Sequence, residues 1–460
     1  MEELDCYPDT NHHGRQRGDK IVSMMAGKKK GTIELEYGID DRPRSGRDWI
    51  VYTLQYVVTM IYAVVWGYAI VGIGMGFESA ELSGYMSSIV VTIGLSTLIQ
   101  AWLGHRMAMV SGPNIIPSLA IVAAITAGGK EYAQQAFLAQ AIAGIVVIAL
   151  ALLGMVKFIK RIWSPLILGV MVVGLSISKQ GLILLTASGF GWQFFAAMAL
   201  ALVGIFTAIR AKGTWGTLSA MIVIIPGYLI FMISGNFQWE LLREPSFFIV
   251  PQALPYGIGI PPLDLIAIMI IVNLMAVLNM FGNLTGYADV VGHTLQDSAM
   301  KRSFLYFGSI ETCLAGLLGV PATVAYGENL GIVMLTRVAA RSFIIAASLL
   351  FVAFAFIGPV GGFMAAMPEP VAGAVLLGIA STVIGIGAGM MATSPDFGRR
   401  EQSLVGFSVF LSLGLFLLPQ DVWKDVPRII TTLFSNPIVS VIIFVMVFEQ
   451  LIFRQRQHRE

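Results

Sequence analysis

From Trp49 onward the chain is a succession of apolar segments separated by short polar turns. They begin near residues 49, 81, 108, 134, 162, 192, 214, 263, 304, 321, 342, 370, 402 and 429, fourteen in all. Most hold the ~20 apolar residues that a helix needs to cross a bilayer. A bilayer offers the backbone no hydrogen-bond partners, so a chain built this way has to cross it as helices. The expected fold class is an all-α polytopic membrane protein. Composition agrees: 56% of the residues are hydrophobic and 12% charged, where soluble domains are about a quarter charged. Residues 1–48 are polar, carry Lys28-Lys29-Lys30 and lack the apolar core of a cleavable signal peptide, so they read as a loosely attached cytoplasmic tail. Cys6 and Cys313 lie in unlike surroundings, which argues against a disulfide, and His12-His13 is too isolated to make a metal site.

Basic residues set the orientation. With the N-terminus inside, the inner face carries the tail, Arg106, Lys157, Lys160, Arg161, Arg210, Lys212, Lys301, Arg302, Arg337, Arg341, Arg399, Arg400 and the C-terminal arginines. Only Lys130, Lys179, Arg243, Lys424 and Arg428 fall outside. That is the positive-inside pattern, and dropping one segment from the count would scramble it. The longest outer connection, 235–262, follows the seventh segment. The expected organisation is a cytoplasmic tail (1–48), a first repeat (49–234), the connection (235–262), a second repeat (263–453) and a cytoplasmic C-terminus (454–460). An odd number of crossings per half makes the two repeats inverted.

Three segments are short or interrupted: the third, the ninth and the tenth. The third contains Ser111-Gly112-Pro113-Asn114-Ile115-Ile116-Pro117, and the tenth Pro321-Ala322-Thr323-Val324-Ala325-Tyr326-Gly327-Glu328-Asn329. Each reads as a short strand followed by a half-helix, so two half-helix N-termini should meet near the midplane, offering free N–H groups and positive dipole ends. Glu328 sits where the second half-helix begins, with apolar chain on both sides. An intramembrane carboxylate marks a functional site by default.

Glu328-Asn329-x-Gly331-x-x-x-x-Thr336-Arg337 resembles the tenth-segment signature of the nucleobase–ascorbate transporters, the uracil/xanthine permease family, and Tyr326-Gly327-Glu328-Asn329 looks most like its bacterial uracil permease branch. Tyr37-Gly38-Ile39-Asp40-Asp41-Arg42-Pro43, Gly94-x-x-Thr97-Leu98-x-Gln100 and Met367-Pro368-Glu369-Pro370-Val371 are similar to the family's first-helix entry, second helix and twelfth-helix entry. The resemblance implies a core domain (segments 1–4 and 8–11), a gate domain (5–7 and 12–14) and substrate held between the strands of segments three and ten. It also implies a plasma-membrane homodimer moving a nucleobase such as uracil or xanthine with a proton, or with sodium, by core movement against the gate. It implies no cofactor and no nucleic-acid partner. Three positions depart from the family pattern. Asn279 and Asn283 stand where the eighth helix usually has a carboxylate and a His, Gln55-Tyr56 where the first helix has Gln-His, and Ile115 where uracil carriers place a stacking aromatic.

The candidate substrate site is therefore Glu328, Gly327, Asn279, Asn283, Ile115, Asn114, Tyr326, Asn329, Gln55 and Tyr56, with Glu328 and Glu311 as candidate proton carriers. Each has a plainer reading beside it. Glu328 could cap its helix, the two asparagines could bond neighbouring helices, Glu311 could be a paired structural carboxylate, and Arg337 and Arg341 read as anchors. A non-transporting membrane receptor or an intramembrane enzyme is a further alternative; the enzyme would need a nucleophile–base pair or metal cluster at membrane depth, and the sequence offers neither. An anion carrier of the sulfate/bicarbonate type is the rival on the same architecture. Against it, Glu328 would repel an anion and the chain runs only to Glu460 after the last segment.

Overall fold

The computed structural model describes residues 33–162, 166, 169–170, 173, 180–210, 219–243, 245–392 and 397–452. Most of the expected tail, most of the fifth segment and the expected C-terminus lie outside the described residues.

The helices follow the apolar runs closely. The first, α1 (Gly46–Trp66), is capped by the Ser45 hydroxyl, which accepts from the Asp48 amide, and it runs on through a π-helical turn, Gly67–Gly72. Next come α2 (Ser79–Trp102), β1 (Ser111–Pro113) and α3 (Ile115–Leu152), with a break inside α3 at Gly129, whose φ is 85°. That glycine lets the third and fourth segments join end to end, because a left-handed backbone is open to a residue without Cβ. Short helices α4 (Met155–Ile162) and α5 (Gln180–Leu185) lead to α6 (Trp192–Arg210), α7 (Ser219–Ile233) and α8 (Glu240–Arg243).

The second half opens with α9 (Leu263–Val291), closed by left-handed Gly292. Helix α10 (Asp297–Tyr306) continues through a π-helical stretch, Phe307–Leu314, into Ala315–Leu317. Then follow β2 (Thr323–Ala325), α11 (Asn329–Thr336), α12 (Arg341–Phe354), α13 (Gly358–Ala365), α14 (Glu369–Ala392), α15 (Arg399–Phe416), α16 (Arg428–Phe434) and α17 (Pro437–Val447). The ninth segment starts earlier than its apolar run: the polar turn Asp297-Ser298 and Lys301-Arg302 already belong to the helix, and α10 is continuous rather than interrupted.

The chain is a mostly helical, multi-pass membrane protein, with two short strands among the described residues. Among the described residues, four single helices are long and apolar enough to cross a bilayer: Gly46–Gly72, Glu81–Trp102, Ala127–Leu152 and Leu263–Val291. Two bent pairs, Gly358–Ala365 with Glu369–Gly378 and Arg428–Phe434 with Val439–Val447, pass the same test together. Packing joins the two halves of the chain. Helix α9 lies against α3, α12 against α1 and α2, and α10 against α3, whereas α14 packs on α5, α6 and α7, and α15 on α17. Small residues allow the closest approaches, as expected between helices in lipid. A Cβ on Gly144 of α3 would lie 2.5 Å from the carbonyl oxygen of Gly308 in α10, and one on Gly308 2.8 Å from that of Gly144.

Residues 33–48 are tied down rather than loose. Tyr37 is buried and forms a parallel bridge with Val338; the amides of Glu36 and Tyr37 donate to the Arg337 carbonyl, and those of Ala339 and Arg341 to Tyr37 and Ile39. Arg341 pairs with Asp40 at 2.7 Å, so its anchoring reading is borne out.

Candidate functional site

The two interrupted segments meet. Strands β1 and β2 pair antiparallel with Ser111 opposite Ala325, Gly112 opposite Val324 and Pro113 opposite Thr323. The ladder extends at both ends, through Asn114 N–H to the Ala322 carbonyl (2.7 Å) and Tyr326 N–H to the Val110 carbonyl (3.0 Å). All six strand residues are buried, so their backbone groups need protein partners. Helix α2 supplies some of these. The Thr97 hydroxyl accepts from the Ser111 amide (3.0 Å), and the Ser96 and Thr323 hydroxyls lie 2.8 Å apart. Only glycine fits at 112: a Cβ there would come within 2.6 Å of the Tyr326 ring and 2.7 Å of Ala63 of α1.

Both strands lead straight into helices, as read from the sequence. Asn114 caps α3, its side-chain oxygen accepting from the Ile116 amide at 3.0 Å. Its Nδ2 is buried with no partner among the described residues, a free donor beside the strand crossing. Ile115 is buried next to it. On the other side Glu328 occupies the cap position of α11 but does not cap with its side chain. It stays half-buried and forms no ion pair among the described residues, unlike the more enclosed Tyr326 and Asn329 around it. Its carboxylate acts electrostatically on Tyr62 of α1 and on Tyr326.

Helix α9 closes the third side. Asn283 Nδ2 donates to the Ala325 carbonyl at 2.8 Å and to Asn279 Oδ1 at 3.2 Å, so the two asparagines share one face of α9 and bond the end of β2. Gly327 lies against them: a Cβ there would meet Asn283 Oδ1 at 3.0 Å. Tyr326 and Asn329 are held by the scaffold. The Tyr326 hydroxyl donates to the Pro113 carbonyl (2.9 Å), and the Asn329 side chain accepts from Val110 N–H and donates to the carbonyls of Val110 and Tyr326. With those bonds made, Asn329 is a clamp across the two strands, and its amide has no donor left for a ligand.

Gln55 and Tyr56 are buried on α1. They lie seven or eight residues before Ala63, which touches the strands, hence roughly 10–12 Å along the helix. The structure brings Glu328, Gly327, Asn114, Ile115, Asn279 and Asn283 around the strand crossing, with Gln55 and Tyr56 about two turns along α1 from Ala63.

Glu311 stands behind the strands, fully buried in the π-helical stretch of α10. Its Oε2 accepts from Gln100 Nε2 at 2.8 Å, while Oε1 has no partner among the described residues. Gln100 in turn exchanges bonds with Ser303, donating to its carbonyl (3.1 Å) and accepting from its hydroxyl (3.0 Å). Gln140 of α3 does similar work on the other strand, accepting from Ala322 N–H and donating to the Val320 carbonyl. Gln140 and Tyr62 are absent from the sequence-derived site. An amide in the apolar run around 140 is the signal that points to Gln140, whereas nothing local marks Tyr62.

The Xan_ur_permease model, described as the Permease family, matches residues 47–421. The chain belongs to this permease family. It is 26% identical over 394 residues to a uracil permease of Bacillus caldolyticus, covering 82% of this chain and 87% of that protein. It is 25% identical to a xanthine permease of Bacillus subtilis over 402 residues, covering 84% and 90%, and 24% identical to the xanthine permease XanP of Escherichia coli over 439 residues, covering 88% and 92%. Among solved structures, the transmembrane domain of the cyanobacterial bicarbonate transporter BicA superposes with a TM-score of 0.54 at 14% identity, covering 88% of this chain and all of that one. Murine Slc26a9, an anion transporter, superposes with 0.54 at 12%, covering 97% and 74%. These two likenesses are of fold alone.

Proposed function

We propose that this permease is a secondary transporter for a nucleobase or a related small heterocycle. What carries the reading is the half-buried Glu328 at the broken end of α11, next to Gly327, which lies against the Asn279–Asn283 face of α9, with the unbonded Asn114 Nδ2 at the start of the opposite half-helix. A carboxylate accepts from ring N–H groups, and side-chain amides both donate and accept, which is the chemistry of a lactam or imide edge. The uracil and xanthine permeases among the relatives support the same substrate class. Ascorbate and inorganic anions are the other ligands to weigh, and Glu328 disfavours an anion.

The coupling ion is a proton, or sodium in its place, with Glu328 and Glu311 as carriers. Fourteen spans in a seven-plus-seven inverted repeat is the arrangement we favour, since both halves contain the same strand-then-helix element at matching places. A core of segments 1–4 and 8–11 moves against a gate of segments 5–7 and 12–14 in a plasma-membrane homodimer; the packing of α9, α10 and α12 on α1–α3, with α14 on α5–α7, supports that division.

The test is a panel of unlabelled bases, ascorbate, sulfate and bicarbonate added to purified protein while its thermal unfolding is followed. A ligand at 100 times its Kd stabilises the native state by about 2.7 kcal/mol. Stabilisation by at least one base and by no inorganic anion is expected; the reverse pattern would discard the nucleobase reading. Orientation is tested separately. Single cysteines near Lys28 should label only from the cytoplasm and one near Trp239 only from outside, and labelling of both from one side would break the inverted repeat.

A further inference from the structure

A second cavity lies away from the strand crossing, where the 33–48 segment, the end of α2, the second half of α10 and the start of α12 come together. It encloses about 630 Å³ and is open on one side. Its charged lining is four arginines, Arg42, Arg106, Arg302 and Arg341, against Asp40 and Asp41. Both acids are engaged: Asp40 pairs with Arg341, and Asp41 accepts from the Gly38 amide at 2.8 Å. Arg302 donates through Nε to the Leu103 carbonyl at 3.1 Å. The guanidinium groups of Arg42 and Arg106 have no partner among the described residues, and four arginines against two aspartates leave the lining with a net positive charge. Arg106 also has a left-handed backbone, φ 62°, which disfavours nearly every residue but glycine, yet the turn from α2 into β1 places an arginine there.

The same cavity has an apolar edge. Trp102 is 58% exposed and Leu103 42% exposed at the last turn of the spanning helix α2, and Tyr306 and Ile345 complete that wall. Tryptophan and tyrosine gather at the depth where acyl chains give way to head groups. Unpaired guanidinium groups recognise phosphate through paired N–H donors, and basic pockets between helix ends suit acidic head groups.

We propose that this cavity binds a phosphate-bearing anion, supplied by the head group of an acidic phospholipid whose chains lie along Trp102 and Leu103. The site is separate from the nucleobase site, and its test does not depend on transport. Full-length protein is purified in detergent, stripped of lipid and titrated with phosphatidylglycerol, phosphatidylcholine or inorganic phosphate, with bound lipid counted by native mass spectrometry. Wild type should hold phosphatidylglycerol at least about tenfold more tightly than phosphatidylcholine. Arg42→Gln/Arg106→Gln should lose that preference, while Lys157→Gln/Arg210→Gln, which removes two basic charges elsewhere, keeps it. Should the double variant not fold, Arg42→Gln alone, in the exposed segment, reads the same loss. Inorganic phosphate that competes with phosphatidylglycerol, and is weakened by the same substitutions, upholds the phosphate site and identifies a soluble source. Equal retention of the two lipids with no phosphate competition, or equal losses in both double variants, overturns the proposal.

Discussion

Glu328→Gln will abolish or severely reduce uptake while leaving the protein folded in the membrane. The side chain makes no ion pair among the described residues and does not cap α11, so the fold depends little on it. Its one structural contribution is a negative charge at the start of a short helix, worth about 0.3–1 kcal/mol at ordinary exposure. As a ligand for N–H groups it counts for more: each hydrogen bond to a charged acceptor contributes about 1.5–3 kcal/mol, or tenfold and upward in affinity. The two roles therefore separate in measurement. Thermal unfolding of the unliganded variant should move by a few degrees at most, and the stabilisation given by a base should vanish. A variant that takes up base at the wild-type rate and affinity would remove Glu328 from the site. A variant that unfolds as readily with base as without, but is already strongly destabilised, would return it to a structural role.

Much of this was legible from residue order, because lipid leaves a backbone few choices. The apolar runs beginning at 192, 263 and 370 start within a residue of α6, α9 and α14. Pro113, Pro321 and Gly327 marked the two breaks, and strands formed there. What sequence could not supply was non-local. The register that sets Gly112 against Val324 joins residues more than two hundred positions apart. The same holds for the Gln100–Glu311 bond and for the strap that lays Tyr37 beside Val338. Asn329 shows the limit most plainly. Its place in the signature suggested a ligand contact, yet its bonds go to Val110 and Tyr326, so the residue builds the crossing rather than reaching into it. Gln55 and Tyr56 are buried on α1, as a site on that helix would need, but their order in the chain says nothing of how far along its axis a ligand would reach.

Coupling should depend on Glu311, and Glu311→Gln should bind base yet lose accumulation driven by a proton gradient. Asn279 has a carbonyl that accepts and an amide that donates but no titrating proton, and the same is true of Asn283 beside it. Two carboxyl groups remain near the strands: Glu328 in front, half-buried, and Glu311 behind, fully buried. Glu311 has one oxygen bonded to Gln100, and the other polar side chain beside its carboxyl is the Ser111 hydroxyl of β1, so both neighbours are neutral. A glutamine there keeps the bond to Gln100 through its carbonyl and removes only the ability to gain and release a proton, which makes it a fair test of titration against packing. The measurement is uptake into proteoliposomes with and without an inward proton gradient, beside base binding in detergent. Binding within about threefold of wild type, ~0.65 kcal/mol, together with uptake that no longer responds to the gradient, is the expected result. Asn279→Glu should then steepen the pH dependence of transport by adding a second titrating group within the site. If both Glu328→Gln and Glu311→Gln still concentrate base against its gradient, the proton travels by another route, and sodium becomes the ion to vary next.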